Sequence, residues 1–94
     1  MMNTIMSIQI IPKTKTDAIP FVDAAIQLIE DSGLKYHVNP LDTTVEGDMD
    51  SCLKLIKSMN ELMIEKGSDY VITQVKFLYS EQFTMDNLTE KHNG

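Results

Sequence analysis

Apolar and polar positions follow two different periods along this chain, and the changes of period mark its elements. Residues 5–11, IMSIQII, are rich in β-branched and apolar side chains and predict a strand. Apolar residues then recur at helical spacing, from a cap at Thr16 or Asp17 to about Ser32. Gly33 follows as a left-handed stop signal, so the first predicted unit is a strand followed by a helix.

The middle of the chain predicts a hairpin and a second helix. Residues 34–38 (LKYHV) and 43–47 (TTVEG) form two strands joined by the turn sequence NPLD. A second helix begins at Asp48 or Asp50 and ends at Gly67. Its apolar stripe consists of Met49, Cys52, Leu53, Ile56, Met59 and Met63.

A long strand over 69–79 completes the order strand, helix, strand, strand, helix, strand. This order predicts an α+β fold of the ferredoxin-like type, built from two split βαβ halves, with a four-stranded antiparallel sheet and two helices on one face. A short tail helix over 84–92, capped at Thr84, is also predicted. The length predicts a single domain over 1–94.

Alternation along the strands divides their side chains between two faces of the sheet. One set is mostly apolar and is expected to lie under the helices. The other set mixes polar groups with large apolar ones, and it includes Ile5, Ser7, Gln9, Ile11, His37, Asn39, Thr44, Glu46, Tyr70, Ile72, Gln74 and Lys76. Large apolar side chains in water favour packing on another subunit, so we expect a homo-oligomer; a merely amphipathic sheet face is the alternative.

Charge and composition narrow the classes of partner. The chain carries 8 Lys and Arg against 14 Asp and Glu, a formal net charge of −6, with its basic residues scattered singly. Nucleic-acid binding requires a basic face, so we expect no nucleic-acid partner. The absence of a long apolar run and of a signal-peptide pattern indicates no membrane partner. The single cysteine, Cys52, excludes an internal disulfide, and a cytoplasmic location is expected.

The sequence contains only weak signals of a catalytic site or a metal site. Four acidic residues near the hairpin do not follow the spacing of an EF-hand loop: Asp42, Glu46, Asp48 and Asp50. His37 and His92 lack a partner at ligand or triad spacing. Cys52 lies within the apolar stripe of the second helix, where a small buried side chain is the expected role. No catalytic residue and no metal site are predicted.

Glu46, Thr44, Ser7 and Gln9 share one predicted sheet face and offer a hydrogen-bonding edge. A carboxyl or carboxylate group, hydroxyls and an amide in neighbouring positions can both donate and accept hydrogen bonds, as the edge of a polar ring requires. The faces of such a ring require apolar walls. For Glu46, the alternative is a hairpin carboxylate that faces water or bonds a neighbouring strand.

Three stretches of the chain resemble a known family. They are SIQIIP at 7–12, GLKYHVNPLDTTVEGD at 33–48 and GSDYVITQVKF at 67–77. In order and spacing they resemble the small thiamine-binding proteins of the YkoF-like superfamily over nearly the whole chain. The resemblance implies a ferredoxin-like fold, association through sheets into homodimers or homotetramers, and binding of thiamine or its hydroxymethylpyrimidine half without established catalysis.

The resemblance also implies a set of site residues. Asp42 differs from the family pattern, in which asparagine or glycine is frequent at that position. With Gln9 added from the sheet face, the predicted ligand-binding residues are Ser7, Gln9, Thr43, Thr44 and Glu46.

We therefore expect a non-catalytic binder of thiamine or hydroxymethylpyrimidine, acting as carrier, buffer or sensor, with no cofactor besides that ligand. Two alternatives are an enzyme with Glu46 as general acid or base and a ligand-free structural or regulatory oligomer. Fold alone does not separate these classes.

Overall fold

The computed structural model describes residues 2–88, and its elements follow the predicted order. They are β1 (Asn3–Pro12), α1 (Ile19–Asp31), β2 (Lys35–Val38), β3 (Thr43–Gly47), α2 (Met49–Glu65) and β4 (Val71–Ser80). The four strands pair antiparallel in the order β2-β3-β1-β4, and both helices pack on one side of them. The predicted α+β, ferredoxin-like arrangement is confirmed. Within the described part of the chain, no helix has the length and apolar character to cross a membrane.

The register of the strands fixes which side chains share a face. β1 lies between β3 and β4 and pairs with β4 over ten residues, from Asn3 opposite Ser80 to Pro12 opposite Val71. Ser7 lies opposite Thr44. Because side chains alternate, the odd-numbered residues of β1 lie on the side away from the helices.

The two helices begin differently. The N-cap of α1 is Ala18, which makes no side-chain cap hydrogen bond, so the predicted cap at Thr16 or Asp17 was wrong. The Asp17 carboxylate accepts a hydrogen bond from the Ile19 N–H at 3.0 Å from just before the cap, and Pro20 is tolerated in the first turn. Asp48 is the N-cap of α2 and accepts from the Ser51 N–H at 2.9 Å. The hydrogen bonds from Ser51 stabilise the ionised form and lower the pKa of the Asp48 carboxyl.

The core lies between the helices and the sheet. Its buried apolar residues are Met6, Ile8, Ala25, Ile29, Val45, Cys52, Leu55, Met59 and Met63. The predicted stripe of α2 was wrong at Leu53, which is 49% exposed, and it omitted Leu55, which is buried. Successive residues of a helix are about 100° apart around its axis. Leu53 therefore lies on a different side of α2 from Cys52, whereas Leu55 lies on a similar side.

The tail segment, defined here as residues 81–88, contains a helical turn over 85–88. Thr84 precedes the turn and exchanges two hydrogen bonds with Asn87. The Thr84 hydroxyl oxygen accepts from the Asn87 N–H at 3.1 Å, and the Asn87 amide oxygen accepts from the Thr84 N–H at 3.0 Å. The predicted cap at Thr84 is therefore confirmed, whereas the predicted continuation over 89–92 lies outside the described residues.

Candidate functional site

The outer face, which is the side of the sheet away from the helices, carries most of the predicted site residues. Two rows of paired residues cross it from β2 to β4: Lys35, Glu46, Ile5 and Leu78 in one row, and His37, Thr44, Ser7 and Lys76 in the next. Gln9, opposite Gln74, lies in the row beyond. The fold therefore brings Ser7 and Thr44 side by side and places Glu46 and Gln9 on either side of them.

A hydrogen-bond network connects the β2–β3 hairpin to this pair of hydroxyls. The Ser7 hydroxyl donates to the Asp42 carboxylate. The Asn39 side-chain amide donates to Asp42 Oδ1 and to Thr44 Oγ1, each at 3.1 Å. The turn is closed by the Asn39 N–H, which donates to the Asp42 carbonyl oxygen at 2.8 Å. Asp42 and Asn39 thus orient the hydroxyls of Ser7 and Thr44.

The two hydroxyls acquire opposite hydrogen-bonding roles from this network. Ser7 uses its hydrogen on Asp42, so its oxygen can accept a hydrogen bond from a ligand. Thr44 receives a hydrogen on its oxygen, so its own O–H can be donated to a ligand. The sequence predicted Asn39 on this face of the sheet but not among the site residues, and it set Asp42 aside, although both belong to the turn sequence NPLD.

Glu46 bonds the tail segment. One carboxylate oxygen of this half-buried residue accepts from the Met85 N–H at 2.6 Å. The segment is also tied to β1, where the Asn3 amide donates to the Phe83 carbonyl oxygen at 3.0 Å, and to β2 through an ion pair between Lys35 and Asp86. The hydrogen bond to Asp86 raises the pKa of Lys35.

The tail segment and the outer face together enclose a groove of about 420 Å³. Its walls are Ile5, His37, Asn39, Thr44, Met85, Asp86 and Leu88. This size lies within the range of pockets for small molecules, and the lining combines apolar walls with a few polar groups. No sequence signal placed the tail segment there, because its contacts join residues far apart in the chain.

Thr43 lies apart from Ser7, Thr44 and Glu46, although the cavity that it lines also includes the predicted site residue Gln9. It pairs with Ile8 and Val38, and its side chain lies on the helix side of the sheet, 8% exposed. There it lines a separate cavity of about 200 Å³ beside α1. Since Thr44 is its neighbour in β3, strand alternation sends the two side chains to opposite faces.

The other reactive side chains considered in the sequence have structural roles. Cys52 is fully buried, and its burial raises the pKa of its thiol. Asp48 caps α2, as the sequence indicated. Within residues 2–88, no three His, Cys, Asp or Glu side chains are grouped so that they could hold a metal ion.

Comparisons with known proteins cover nearly the whole chain. The model of a family described as thiamine-binding protein matches residues 6–93. UPF0045 protein CPE1503 of Clostridium perfringens (strain 13 / Type A) is 37% identical over 89 residues, which cover 93% of this chain and 94% of that protein.

Two solved structures share the fold. A domain of unknown function, DUF77, from Bacillus cereus has a TM-score of 0.89 and 31% identity, covering 96% of this chain and 89% of that one. A Thermotoga maritima protein provisionally assigned to thiamine biosynthesis or salvage has a TM-score of 0.84 and 25% identity, covering 96% and 98%. The arrangement of strands and helices is therefore shared with experimentally determined structures.

Proposed function

Because the chain belongs to the thiamine-binding protein family, we propose that it binds thiamine or the hydroxymethylpyrimidine half of thiamine without catalysing a reaction. The proposed site is the groove between the outer face and the tail segment. In this role the protein acts as a carrier, buffer or sensor of the ligand. The solved relative provisionally assigned to thiamine biosynthesis or salvage supports the same ligand class.

The observation that carries this proposal is that two neighbouring hydroxyls have opposite hydrogen-bonding roles: Ser7 can accept a hydrogen bond from a ligand, and Thr44 can donate one. An aminopyrimidine edge presents a ring nitrogen, which accepts a hydrogen bond, beside an exocyclic amine, which donates one. Thr44 can donate to the ring nitrogen while Ser7 accepts from the amine. Asp42 and Asn39 hold both hydroxyls in these roles before the ligand arrives, which limits the ordering cost of binding.

The charged side chains around the groove favour the cationic thiazolium half of thiamine. The thiazolium ring is a cation, and around the groove the three carboxylates of Asp42, Glu46 and Asp86 outnumber the two ammonium groups of Lys35 and Lys76. Ile5, Met85 and Leu88 supply apolar surface for the ring faces.

We also propose that the protein is a homodimer or homotetramer that packs through its outer faces in the cytoplasm. Beyond the groove, the outer face carries three large apolar side chains that are 41–54% exposed, namely Ile11, Ile72 and Tyr70. Ile11 and Ile72 are directly paired across β1 and β4. Covering them with a second copy would remove this surface from water.

Ligand-dependent stabilisation tests the proposed function. Thiamine and hydroxymethylpyrimidine should each raise the unfolding temperature, while the thiazole half alone should raise it much less. A ligand at about 100 times its Kd contributes about 2.7 kcal/mol to the free energy of unfolding. Stabilisation by none of the three, or by all three equally, would contradict the proposal.

Two neighbouring threonines provide a matched test of the site. Thr44→Val removes the proposed donor and should weaken thiamine binding roughly five- to 150-fold in calorimetry. Thr43→Val is the same change one residue earlier, on the helix side of the sheet, and should leave the affinity unchanged. Weaker binding for Thr43→Val alone would place the ligand in the cavity beside α1 instead.

A further inference from the structure

We infer that the tail segment is a wall of the ligand groove and that Glu46 is the positioning residue that holds it there. This inference rests on the proposed function for the identity of the ligand. The contact between Glu46 and the tail segment is a property of the protein alone, so it can be tested without ligand.

The first support is the chemistry of the Glu46 contact. Backbone N–H groups at the beginning of a helical turn lack partners within that turn. Met85 is the first residue of the turn over 85–88, and its N–H donates to the Glu46 carboxylate at 2.6 Å. A hydrogen bond to an ionised group is stronger than one between neutral groups. The carboxylate therefore fixes the point at which the turn meets the sheet.

The second support is that the tail segment contacts three strands in succession. After β4 ends, Phe83 is bonded by Asn3 of β1, Met85 bonds Glu46 of β3, and Asp86 pairs with Lys35 of β2. This sequence of contacts follows the order of the strands in the sheet. The reciprocal hydrogen bonds within the turn give it a defined shape. The segment is therefore seated on the outer face by contacts of its backbone and its side chains.

The third support is what the segment adds to the groove. Met85 and Leu88 bring apolar surface opposite Ile5, and Asp86 brings a carboxylate that is paired with Lys35. The sheet on its own offers the hydrogen-bonding edge at Ser7 and Thr44 but only one side of a ring-binding site. A flat heteroaromatic ligand with a cationic substituent gains most from a site that covers both of its faces. The class of ligand is thus set by the tail segment as well as by the sheet.

Two substitutions at Met85 separate its N–H from its side chain. Met85→Pro deletes the N–H, and proline is tolerated at the first position of a helical turn. Met85→Ala keeps the N–H, and both variants lack the methionine side chain. Proline also suits Thr84, because the residue before a helix is ordinarily extended and the residue before a proline is biased toward the same conformation.

Hydrogen exchange without ligand tests the contact itself. We expect the amides of Asn87 and Leu88, which donate to Thr84, to exchange roughly tenfold faster in Met85→Pro than in Met85→Ala, since the bond to Glu46 is absent in the first variant only. Glu46→Ala should show the same acceleration. Equal exchange in the two Met85 variants, with no acceleration in Glu46→Ala, would overturn the positioning role of Glu46.

Thiamine binding by calorimetry tests the wall. Met85→Pro should bind about tenfold more weakly than Met85→Ala. Equal affinity in the two variants, despite faster exchange in the first, would overturn the role of the segment in binding, while the effect of Thr44→Val would still support the proposed function. If the wild-type protein binds neither thiamine nor hydroxymethylpyrimidine, the proposed function fails, and the exchange rates alone decide whether Glu46 positions the tail segment.

Discussion

Asp42 and Glu46 are four residues apart in the chain, yet they act on different parts of the molecule. Asp42 bonds the side chains of Ser7 and Asn39, so it orders the centre of the outer face. Glu46 bonds the backbone of Met85, so it orders the tail segment. Their residue types alone do not distinguish these roles, because the partners come from β1 in one case and from the end of the described chain in the other.

Glu46→Gln tests the charge of this side chain. Glutamine keeps an oxygen that can accept from the Met85 N–H, so the melting curve should change little. The charge assistance to the bond with Met85 and the negative charge near the groove are lost, so thiamine affinity should fall by up to roughly tenfold, the effect expected for deletion of the whole contact in Met85→Pro. Calorimetric titration of both proteins measures the change. An unchanged affinity would mean that the charge of Glu46 is not used in binding.

Asp48 gives the protein a defined dependence on acid. Hydrogen bonds from Ser51 hold the pKa of its carboxyl below its ordinary value, so the folded protein favours the ionised form. That stabilisation is complete above the ordinary carboxyl pKa of about 4 and is lost as the pH falls through the lowered value.

Asp48→Asn keeps a good N-cap but lacks the charge. Urea unfolding should therefore show wild type more stable than this variant at pH 6, with the difference shrinking as the pH approaches 2. A difference that stays constant over this range would exclude the carboxylate as its source.

Among the elements, the strands and their faces were predictable from sequence because each depends on a local period. The face shared by Ser7, Thr44 and Glu46 follows from alternation within β1 and β3 and from their register. The buried face of α2 was predicted less accurately, because apolar residues lie on more than one side of this helix. Only its packing against the sheet buries Leu55 and leaves Leu53 exposed. The position of the tail segment on the outer face was not predictable from sequence, because no local sequence pattern links Glu46 to Met85.

The end of α1 offers a test at the scale of an element. Gly33 has a φ of 77°, and a β-carbon placed there would meet no atom within 4 Å. Substitution therefore changes backbone conformation without a steric clash. Gly33→Ala should lower the free energy of unfolding by about 1–2 kcal/mol, and Gly33→Asn should lower it by less, since asparagine tolerates left-handed conformations better. Urea unfolding measures both, and equal losses would contradict the conformational explanation.

At the scale of the molecule, the outer face is divided into two regions. The groove and tail segment occupy the part formed by β2, β3 and the beginning of β1, while Ile11, Ile72 and Tyr70 lie toward the other end of the long strands. Ligand binding and self-association can therefore use the same sheet face without competing for the same side chains.

Ile72→Lys tests self-association. Burying a large aliphatic side chain contributes roughly 1.5–3 kcal/mol, so a lysine at this interface should shift the protein toward smaller species. Ile64→Lys is the matched control, because Ile64 is exposed to a similar extent, 52% against 49%, but lies on α2. Light scattering at micromolar concentration measures the masses. A wild-type protein that is monomeric under these conditions would contradict the proposed oligomer.

The position of β1 in the sheet has a consequence for how the protein is made. β1 leaves the ribosome well before its ten-residue partner β4, which ends at Ser80. Until that strand has been synthesised, one edge of β1 has unpaired backbone groups beside Ile8 and Ile10. Closing so long a loop is slow compared with forming the helices. We therefore expect nascent chains that stall before β4 to depend on chaperones and to be degraded or to aggregate when chaperones are scarce.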